Sequence, residues 1–371
     1  MLVRSCSTLL LVCAGPLGGC AVTDVEPSTI ACDPGQTESP LQPTAPGTDL
    51  PSPDESGPGC VTATWAGDIL LADAAFNTLQ TNGYGHPFEH VGELLSGDVV
   101  IGNAEGPITE RTEQANEGQQ WHYNALPAAA DALAAVGFDA LSIANNHLHD
   151  RGPQGIEDTL FHLDAVEVVA FGGGLSRDDA LVPFVFDAPV GLVAVFGFGK
   201  SSNWVPAAGD AQAGMLVLNS TNASAARAVA DELGADYVVA FPHWGSNYSN
   251  VSGQQRGHAE LLIDAGFDLI VGHGPHNQQG VEYVDGVPVL WSLGNFAFGT
   301  PGRWDEAFPG YGLVATTVFE GGGLERVELH CIVTDNDVVA FQPIPCEEAE
   351  AVSVLEALGD VQVEGGVGVW R

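Results

Sequence analysis

Short apolar runs alternate with helix-like segments through most of the chain. Runs rich in β-branched and aromatic residues, bounded by turn-forming residues, predict buried strands. The predicted strands are VTATWAG (61–67), DVVIGN (98–103), DALSIAN (139–145), VEVVAF (166–171), GLVAVFGF (191–198), DYVVAFP (236–242), DLIVGH (268–273) and VPVLWSL (287–293). Apolar residues recur at the helical period in PAAADALAAVG (127–137), QGIEDTLFHLDA (154–165), NASAARAVADELG (222–234) and QQRGHAELLIDAG (254–266). This repetition predicts an α/β layered fold with substantial parallel pairing.

The two ends of the chain follow different patterns. Residues 1–19 carry one arginine, an apolar stretch too short to span a membrane, and then small residues, which is the layout of a secretory signal. The following segment, 20–59, is rich in Pro, Ser, Thr, Gly and acids, so it predicts a disordered tether. We expect the folded domain at 60–333 and a C-terminal extension, 334–371, packed on it.

The signal ends in Leu-Gly-Gly-Cys, which resembles the lipobox of bacterial lipoproteins. That resemblance implies cleavage before Cys20, lipidation of its thiol and export to the cell envelope. A plain signal peptide that happens to contain cysteine is the alternative. Four cysteines follow Cys20, and an even number in an exported chain suggests two disulfides. Three pairings are open, and sequence proximity favours Cys32–Cys60 and Cys331–Cys346.

The charge balance is strongly acidic. Among 371 residues, 48 are acidic and 10 are basic, for a formal net charge of −38, and Lys200 is the only lysine. Such a surface repels nucleic acid and anionic lipid headgroups, so an electrostatic polyanion binder is not expected. It attracts divalent cations, although adaptation to a saline environment explains the same composition equally well.

Polar side chains follow five of the predicted strands. They are Asp68; Asn103 and Glu105; Asn145, Asn146 and His147; His243; and His273, His276 and Glu282. In open α/β sheets, ligands bind at the carboxyl ends of the strands, so these side chains are expected at one edge. A single histidine at a strand end is more often structural, and Asp150 alone would be only a helix cap. Five such elements in a row favour a site instead.

The residue types in this group suit a divalent metal. Carboxylate oxygens, an amide oxygen and neutral imidazoles are donors for zinc, manganese or iron(II). A carboxylate such as Glu105 could bridge two ions, as in phosphoester hydrolysis. His147 beside a ligand asparagine could protonate a leaving group. Substrate contacts are expected from Asn103, Asn145, Glu282 and, in the segment QQWHYN, His122.

Longer motifs resemble a known family. GDILL, GNAEGPIT, ANNHLHDRGPQGIEDTL, FPHWGSNY and LIDAGFDLIVGHGPHNQQGVEYVDGVPVLWSLGNFAFG occur in the order typical of the CapA-type poly-gamma-glutamate capsule biosynthesis family. The resemblance covers about residues 61–300. It implies a calcineurin-like metallophosphoesterase fold, which is a four-layer α/β/β/α sandwich with a centre for one or two divalent ions.

The resemblance also assigns roles to residues. It implies Asp68 as the first ligand aspartate, Glu105 as the bridging carboxylate, and Asn146 with His147 as ligand and general acid. The remaining implied ligands are His243, His273 and His276. Two positions depart from the phosphoesterase pattern: Leu70 replaces a histidine two residues after the first aspartate, and Gly274 replaces a histidine in the last motif.

Three functions are consistent with the sequence. The leading hypothesis is a lipid-anchored extracytoplasmic protein that uses a metal hydrolase or transferase site in making, anchoring or processing a poly-gamma-glutamate-type polymer. Its expected partners are that anionic polymer or its synthesis and export complex, with the membrane reached only through the lipid anchor and no nucleic acid involved. The alternatives are a non-enzymatic scaffold of the export complex and a secreted metallophosphodiesterase.

Overall fold

Two large β-sheets lie face to face in the computed structural model, which describes residues 59–371. The strands are β1 (Cys60–Leu70), β2 (Val99–Ala104), β3 (Ala140–Ser142), β4 (Val169–Phe171), β5 (Gly173–Gly174), β6 (Phe184–Ala188), β7 (Gly191–Gly199), β8 (Gly214–Met215), β9 (Tyr237–His243), β10 (Leu269–Val271), β11 (Val281–Val284), β12 (Val287–Leu290), β13 (Asn295–Phe298), β14 (Tyr311–Glu320), β15 (Gly323–Val333), β16 (Ile344–Pro345), β17 (Gln362–Glu364) and β18 (Val367–Trp370). The helices are α1 (Phe76–Asn82), α2 (Ala128–Val136), α3 (Gly152–Asp164), α4 (Arg177–Ala180), α5 (Ser220–Leu233), α6 (Gly253–Asp264), α7 (Asn336–Val339) and α8 (Glu348–Glu356). The eight strands and four helices predicted from periodicity are all present, with shifted ends.

The first sheet is mixed. Its order is β17-β18-β15-β14-β1-β2-β3-β4, with β13 also paired to β1 and β16 to β15. The pairs β1–β2, β2–β3 and β3–β4 are parallel, whereas β14 and β15 run antiparallel to their neighbours. The strands β14 and β15 follow one another around the GGG segment at 321–323.

The second sheet has the order β11-β12-β10-β9-β7-β6. Its four central strands β7, β9, β10 and β12 pair in parallel, and the two outer strands pair antiparallel. Because helices α5 and α6 connect successive strands of this sheet, their apolar faces return to it, as parallel crossovers require.

Three apolar cores separate four layers. Alternate residues of β1 and β9 meet between the sheets, where Trp65 packs on Phe241 with ring centroids 5.6 Å apart. The outer face of the first sheet is covered by α2 and α3, and that of the second by α5 and α6. A fully buried side chain of this kind contributes roughly 1.5–3 kcal/mol, so the inter-sheet core is a principal source of stability. The chain therefore has the predicted four-layer α/β/β/α architecture.

Local signals in the sequence set the helix ends. Asn219 caps α5 by accepting a hydrogen bond from the backbone of Asn222, and Gly234 ends it in the left-handed conformation. Helix α6 begins with a reciprocal capping box between Ser252 and Gln255. These caps hold the helices that flank the loops after β9 and β10.

Residues 334–371 are part of the first sheet. Strands β17 and β18 extend it through pairing of β18 with β15, and α8 packs its apolar face into the inter-sheet core. Cys331 and Cys346 form a disulfide with their Cα atoms 5.4 Å apart. This bond ties the segment to β15 close to the point where it leaves the strand.

The predicted signal, Cys20, Cys32 and the tether up to residue 58 lie outside the described residues. The pairing Cys32–Cys60 therefore stays a prediction. Among residues 59–371, no helix combines the length and apolar character needed to cross a membrane.

Candidate metal centre

The carboxyl ends of both sheets meet at Asp68. This residue follows a bulge in β1 and lies in register with Asn103 of β2 and Asn295 of β13. From the second sheet, β9 ends at His243, which forms a parallel bridge with His273 after β10. Five separate chain segments thus converge: four of them are predicted from polar residues at strand ends, and β13 is not among them.

Asp68 is fully buried and surrounded by donors. Its Oδ1 accepts a hydrogen bond from Asn103 Nδ2 at 2.9 Å and lies 2.9 Å from His273 Nδ1. The backbone N–H of Gly274 donates to Oδ2 at 3.0 Å. His243 Nδ1 lies 3.4 Å from Oδ1, and His276 Nδ1 lies 3.3 Å from Oδ2. A buried carboxylate with three histidines around it is the central feature of the site.

Glu105 adds a second buried carboxylate, which forms an ion pair with His276, whose Nε2 lies 3.8 Å from Oε1, but accepts no hydrogen bond from the described residues. It is 3% exposed, and neither Oε1 nor Oε2 accepts a hydrogen bond within residues 59–371. His273 Nε2 is buried without a hydrogen-bond partner as well. Burying such atoms without a hydrogen bond costs on the order of 1–3 kcal/mol or more each, which a bound cation would offset. The donor set therefore fits a divalent metal.

Two sets of ligand atoms are close enough to hold ions. Asp68, His243 and His273 form one set, and Asp68, Glu105 and His276 form the other, with the atoms of each set within 4.8 Å of one another. The expectation that Glu105 bridges two ions stays a prediction, and the carboxylate common to both sets is Asp68. Register explains this, because Asp68 lies where the two sheets meet, whereas Glu105 lies beyond the end of β2.

The protonation states reflect burial and close charges. Burial would raise the pKa of Asp68, but contacts with the three histidines outweigh it and hold that pKa well below its usual range. Burial raises the pKa of Glu105 well above its usual range and lowers that of His243 to about 4. The pKa of His276 rises to about 9, since the nearby Glu105 and Asp68 outweigh the effect of burial.

The two departures from the phosphoesterase pattern have clear structural settings. Gly274 adopts φ +107°, and a Cβ there would lie 2.7 Å from the Trp244 carbonyl oxygen, so a histidine does not fit this backbone. Its N–H instead donates to Asp68. Leu70 is buried in an apolar cluster with Tyr123 and Phe298. The position that carries a histidine in the phosphoesterase pattern therefore makes an apolar contact here.

His147 is paired with a buried carboxylate. Its Nδ1 lies 2.7 Å from Asp150 Oδ2, and the same oxygen accepts a hydrogen bond from the backbone N–H of Tyr123 at 2.7 Å. The Tyr123 ring packs on the imidazole with centroids 4.2 Å apart. Asp150 does not cap the following helix, whose N-cap is Arg151. The reading of Asp150 as a cap is therefore wrong, because its side chain turns inward to the histidine three residues earlier.

His147 lies beside the metal centre. A Cβ on Gly106, next to Glu105, would lie 3.8 Å from the His147 Cβ. Because Asp150 holds Nδ1, the other ring nitrogen is available to a substrate. The geometry suits a positioned proton donor next to a metal site.

The three asparagines have different environments. Asn145 donates to the side chain of Asn103 at 3.1 Å and to the carbonyl of Ala104 at 2.8 Å, and Asn103 in turn binds Asp68. Both are fully buried, so their expected substrate contact is corrected to positioning of the aspartate. Asn146 is half-buried, and its side chain makes no hydrogen bond to residues 59–371. Its role as a ligand stays a prediction.

The two other predicted substrate residues are engaged in structural contacts. Glu282 binds Arg256 at 2.8 Å and accepts a hydrogen bond from Trp291 Nε1 at 2.7 Å, on the edge strand β11. These partners engage the carboxylate of Glu282 within the fold, and its contact with a substrate stays a prediction. His122 Nε2 lies 2.6 Å from the Asn116 carbonyl, in the segment that also supplies Tyr123.

Comparison with known proteins identifies the family. The family model described as "Bacterial capsule synthesis protein PGA_cap" matches residues 62–300. The chain belongs to this family. The match extends from β1 through β13 and so includes every candidate ligand.

Three relatives illustrate the similarity. The PGA biosynthesis protein CapA of Bacillus subtilis is 31% identical over 241 residues, covering 64% of this chain and 63% of that protein. The capsule biosynthesis protein CapA of Bacillus anthracis is 32% identical over 247 residues, covering 64% and 60%. A probable polyglutamine synthesis accessory protein of Mycobacterium tuberculosis is 31% identical over 216 residues, covering 55% and 56%. The matches thus span less than two thirds of each relative.

Four residues near the site are not among those predicted from the sequence, and one of them, Arg303, lies just beyond the residues that match the PGA_cap family. His276 Nδ1 lies 3.0 Å from Asn295 Oδ1, and Tyr248 lies 6.0 Å from the His276 ring. Arg303 in turn lies over Tyr248. Asp150 is the fourth. Of these residues, Asn295 was the one that the sequence could have indicated, because it is a polar residue in the motif SLGNF, directly after an apolar strand.

Proposed function

We propose that this protein is a metal-dependent hydrolase or transferase that acts on an anionic, capsule-type polymer. The observation that carries the proposal is the buried pair Asp68 and Glu105, with three histidines around it and with neither Glu105 oxygen accepting a hydrogen bond within residues 59–371. Membership in the capsule synthesis family supports the polymer as the substrate class.

Each side chain has a distinct task in this proposal. Asp68, Glu105, His243, His273 and His276 would hold one or two divalent ions, with Asn146 as a further amide ligand. Such an ion, when bound, lowers the pKa of water and stabilises negative charge that develops in the transition state. His147 donates a proton to the leaving group, and Asp150 fixes the ring through Nδ1.

We also propose export and lipid anchoring through Cys20. The support comes from the signal-like residues 1–19 with their Leu-Gly-Gly-Cys ending and from the disulfide Cys331–Cys346. Disulfides persist mainly in oxidising compartments, so this bond favours an extracytoplasmic location.

A scaffold function is the second candidate. It is favoured by Leu70, which takes an apolar position where metallophosphoesterases carry a ligand histidine. With fewer ligands, one ion would be held weakly or not at all, and the fold could serve a polymer-export complex without turnover.

Replacement of His147 separates the two functions. His147→Gln should reduce metal-dependent turnover of a γ-linked oligoglutamate, or of a simple phosphodiester, by roughly 10²- to 10⁴-fold. Bound metal should be unchanged, because His147 belongs to neither ligand set. His162→Gln, on the far part of α3, is the matched control.

The outcomes of this experiment are opposite for the two candidates. Turnover that needs Mn²⁺ or Zn²⁺ and is lost in His147→Gln alone supports the hydrolase. No turnover of either substrate by the parent protein with any added metal favours the scaffold. Turnover of the phosphodiester alone would favour a general phosphodiesterase.

A further inference from the structure

Arg303 differs in its surroundings from most arginines of the described domain. Of the eight arginines in residues 59–371, six donate a hydrogen bond to a side-chain oxygen of Asp, Glu or Asn, whereas Arg303 and Arg371 do not. These pairs are Arg111–Asp158, Arg151–Asn124, Arg177–Asn222, Arg227–Asp231, Arg256–Glu282 and Arg326–Glu328. Arg303 forms no such pair, although the chain has 48 acidic residues that could supply one. Its guanidinium lies over the Tyr248 ring, with Cζ 4.8 Å from the centroid.

Tyr248 connects Arg303 to the metal centre. Its ring lies 6.0 Å from that of His276, and its backbone N–H donates to the Pro275 carbonyl at 2.8 Å. Burial raises the pKa of its hydroxyl, and the charge of Glu105 adds to that rise against the opposing effect of Arg303. Tyr248 is therefore close to both the second ligand set and the arginine.

The backbone holds this arrangement in place. Tyr248 has φ +51° and His276 has φ +63°, both in the left-handed region that costs a non-glycine residue roughly 1–3 kcal/mol. Trp304, next to Arg303, packs edge-on against Tyr248 at 5.1 Å between centroids. The loop after β13 is thus fixed on the loop after β9 by aromatic contacts, with the exposed arginine at their junction.

Charge explains why a cation is needed there. An anionic polymer approaching a chain of net charge −38 is repelled at long range, but exposed charges are screened beyond about 8 Å at physiological ionic strength. Close contacts then decide binding. Lys200, which donates from Nζ to the Gly245 carbonyl at 2.6 Å, adds a second positive charge to the loop that carries Tyr248.

We infer that Arg303, held on Tyr248 beside the metal centre, binds a free carboxylate of the substrate and so selects a polyglutamate-type chain over an uncharged polyglutamine-type chain. The planar guanidinium offers two parallel donors, which match the two acceptor oxygens of a carboxylate. An amide side chain does not present such a pair of acceptors. The relatives' names include a PGA biosynthesis protein and a polyglutamine synthesis accessory protein, so the charge of the polymer is a real point of difference. This inference rests on the proposed function, because it names the substrate class of the same site.

The test measures binding of two matched probes to the full-length, Mn²⁺-loaded protein at fixed ionic strength. The probes are a short γ-linked oligoglutamate and a γ-linked oligoglutamine of equal length. The parent should bind the oligoglutamate more tightly. Arg303→Gln should weaken oligoglutamate binding by roughly tenfold or more, as for loss of a charged hydrogen bond, and leave oligoglutamine binding unchanged. The oligoglutamate affinity of Arg303→Lys should lie between those of the parent and Arg303→Gln, since lysine keeps the charge without the planar pair of donors.

Arg256→Gln is the matched control. Arg256 is also an exposed arginine over an aromatic ring, 5.1 Å from the Trp291 centroid, but Glu282 already occupies it. Its replacement makes the same change in net charge and should leave both affinities unchanged. Three results would each overturn the inference. They are equal losses of oligoglutamate affinity in Arg303→Gln and Arg256→Gln, no loss of that affinity in Arg303→Gln, and a parent protein that binds oligoglutamine more tightly than oligoglutamate.

Metal content of the same samples separates this inference from the proposed function. Arg303→Gln should retain the metal content of the parent, since Arg303 is in neither ligand set. Carboxylate-selective binding that depends on Arg303 without any turnover would uphold the inference and refute the hydrolase. Metal-dependent turnover with oligoglutamate binding that is unchanged in Arg303→Gln would support the hydrolase and refute the inference.

Discussion

At the scale of single residues, the pairing of Asp150 with His147 is the contact that sequence reasoning misread. The motif ANNHLHD places a carboxylate three residues after a histidine, and a cap is the commoner role for such an aspartate. Only the turn conformation shows that the side chain points back to Nδ1. Conversely, the ligand types at strand ends could be predicted, because each is a polar residue where an apolar pattern stops.

The His147–Asp150 pair makes a specific kinetic prediction. Asp150→Asn should lower kcat by roughly 10- to 100-fold, as for other residues that orient a reactive group, with KM and bound metal unchanged. The control Asp158→Asn removes another carboxylate of the same region, which binds Thr109 and Arg111 instead. Equal kcat values in both variants, or metal lost from Asp150→Asn, would show that Asp150 does not act through His147.

At the scale of elements, strands and helices followed their periodicity, whereas the contacts between loops could not be predicted. Strand β1 reads as an alternating apolar run and is buried on both faces. The loops after β9 and β13, however, are far apart in the sequence, because β10 to β13 lie between them. Their contact at Tyr248 and Arg303 follows from the order of the strands in the sheets. The register of the strands likewise decides which carboxylate both ligand sets share, and register cannot be predicted from composition.

The disulfide between β15 and the C-terminal segment should stabilise the domain. Its sequence separation of 15 predicts a contribution of about 3 kcal/mol to the free energy of unfolding, through restriction of the unfolded chain. Cys346→Ser should lose this amount in urea titrations of residues 60–371, while the control Cys60→Ser should change stability by less than about 0.5 kcal/mol. Equal midpoints for Cys346→Ser and the parent would contradict this role for the bond.

At the scale of the whole molecule, four layers bring the ends of two sheets to one buried cluster. The layered fold and the family could be predicted from the sequence because the motifs lie in the order of the strands that carry them. The net charge of −38 does not by itself exclude an anionic ligand, since exposed charges are screened beyond about 8 Å at physiological ionic strength. In the buried cluster, Asp68 belongs to both candidate sets of ion ligands.

The most direct test is the metal content of residues 60–371 after incubation with Mn²⁺ or Zn²⁺ and gel filtration. We expect retained metal in the parent and in the control Glu282→Gln. We expect partial loss in Glu105→Gln, which leaves the set of Asp68, His243 and His273, and complete loss in Asp68→Asn, which removes the shared ligand. No metal in the parent, or more metal in Asp68→Asn than in Glu105→Gln, would contradict a metal site centred on Asp68.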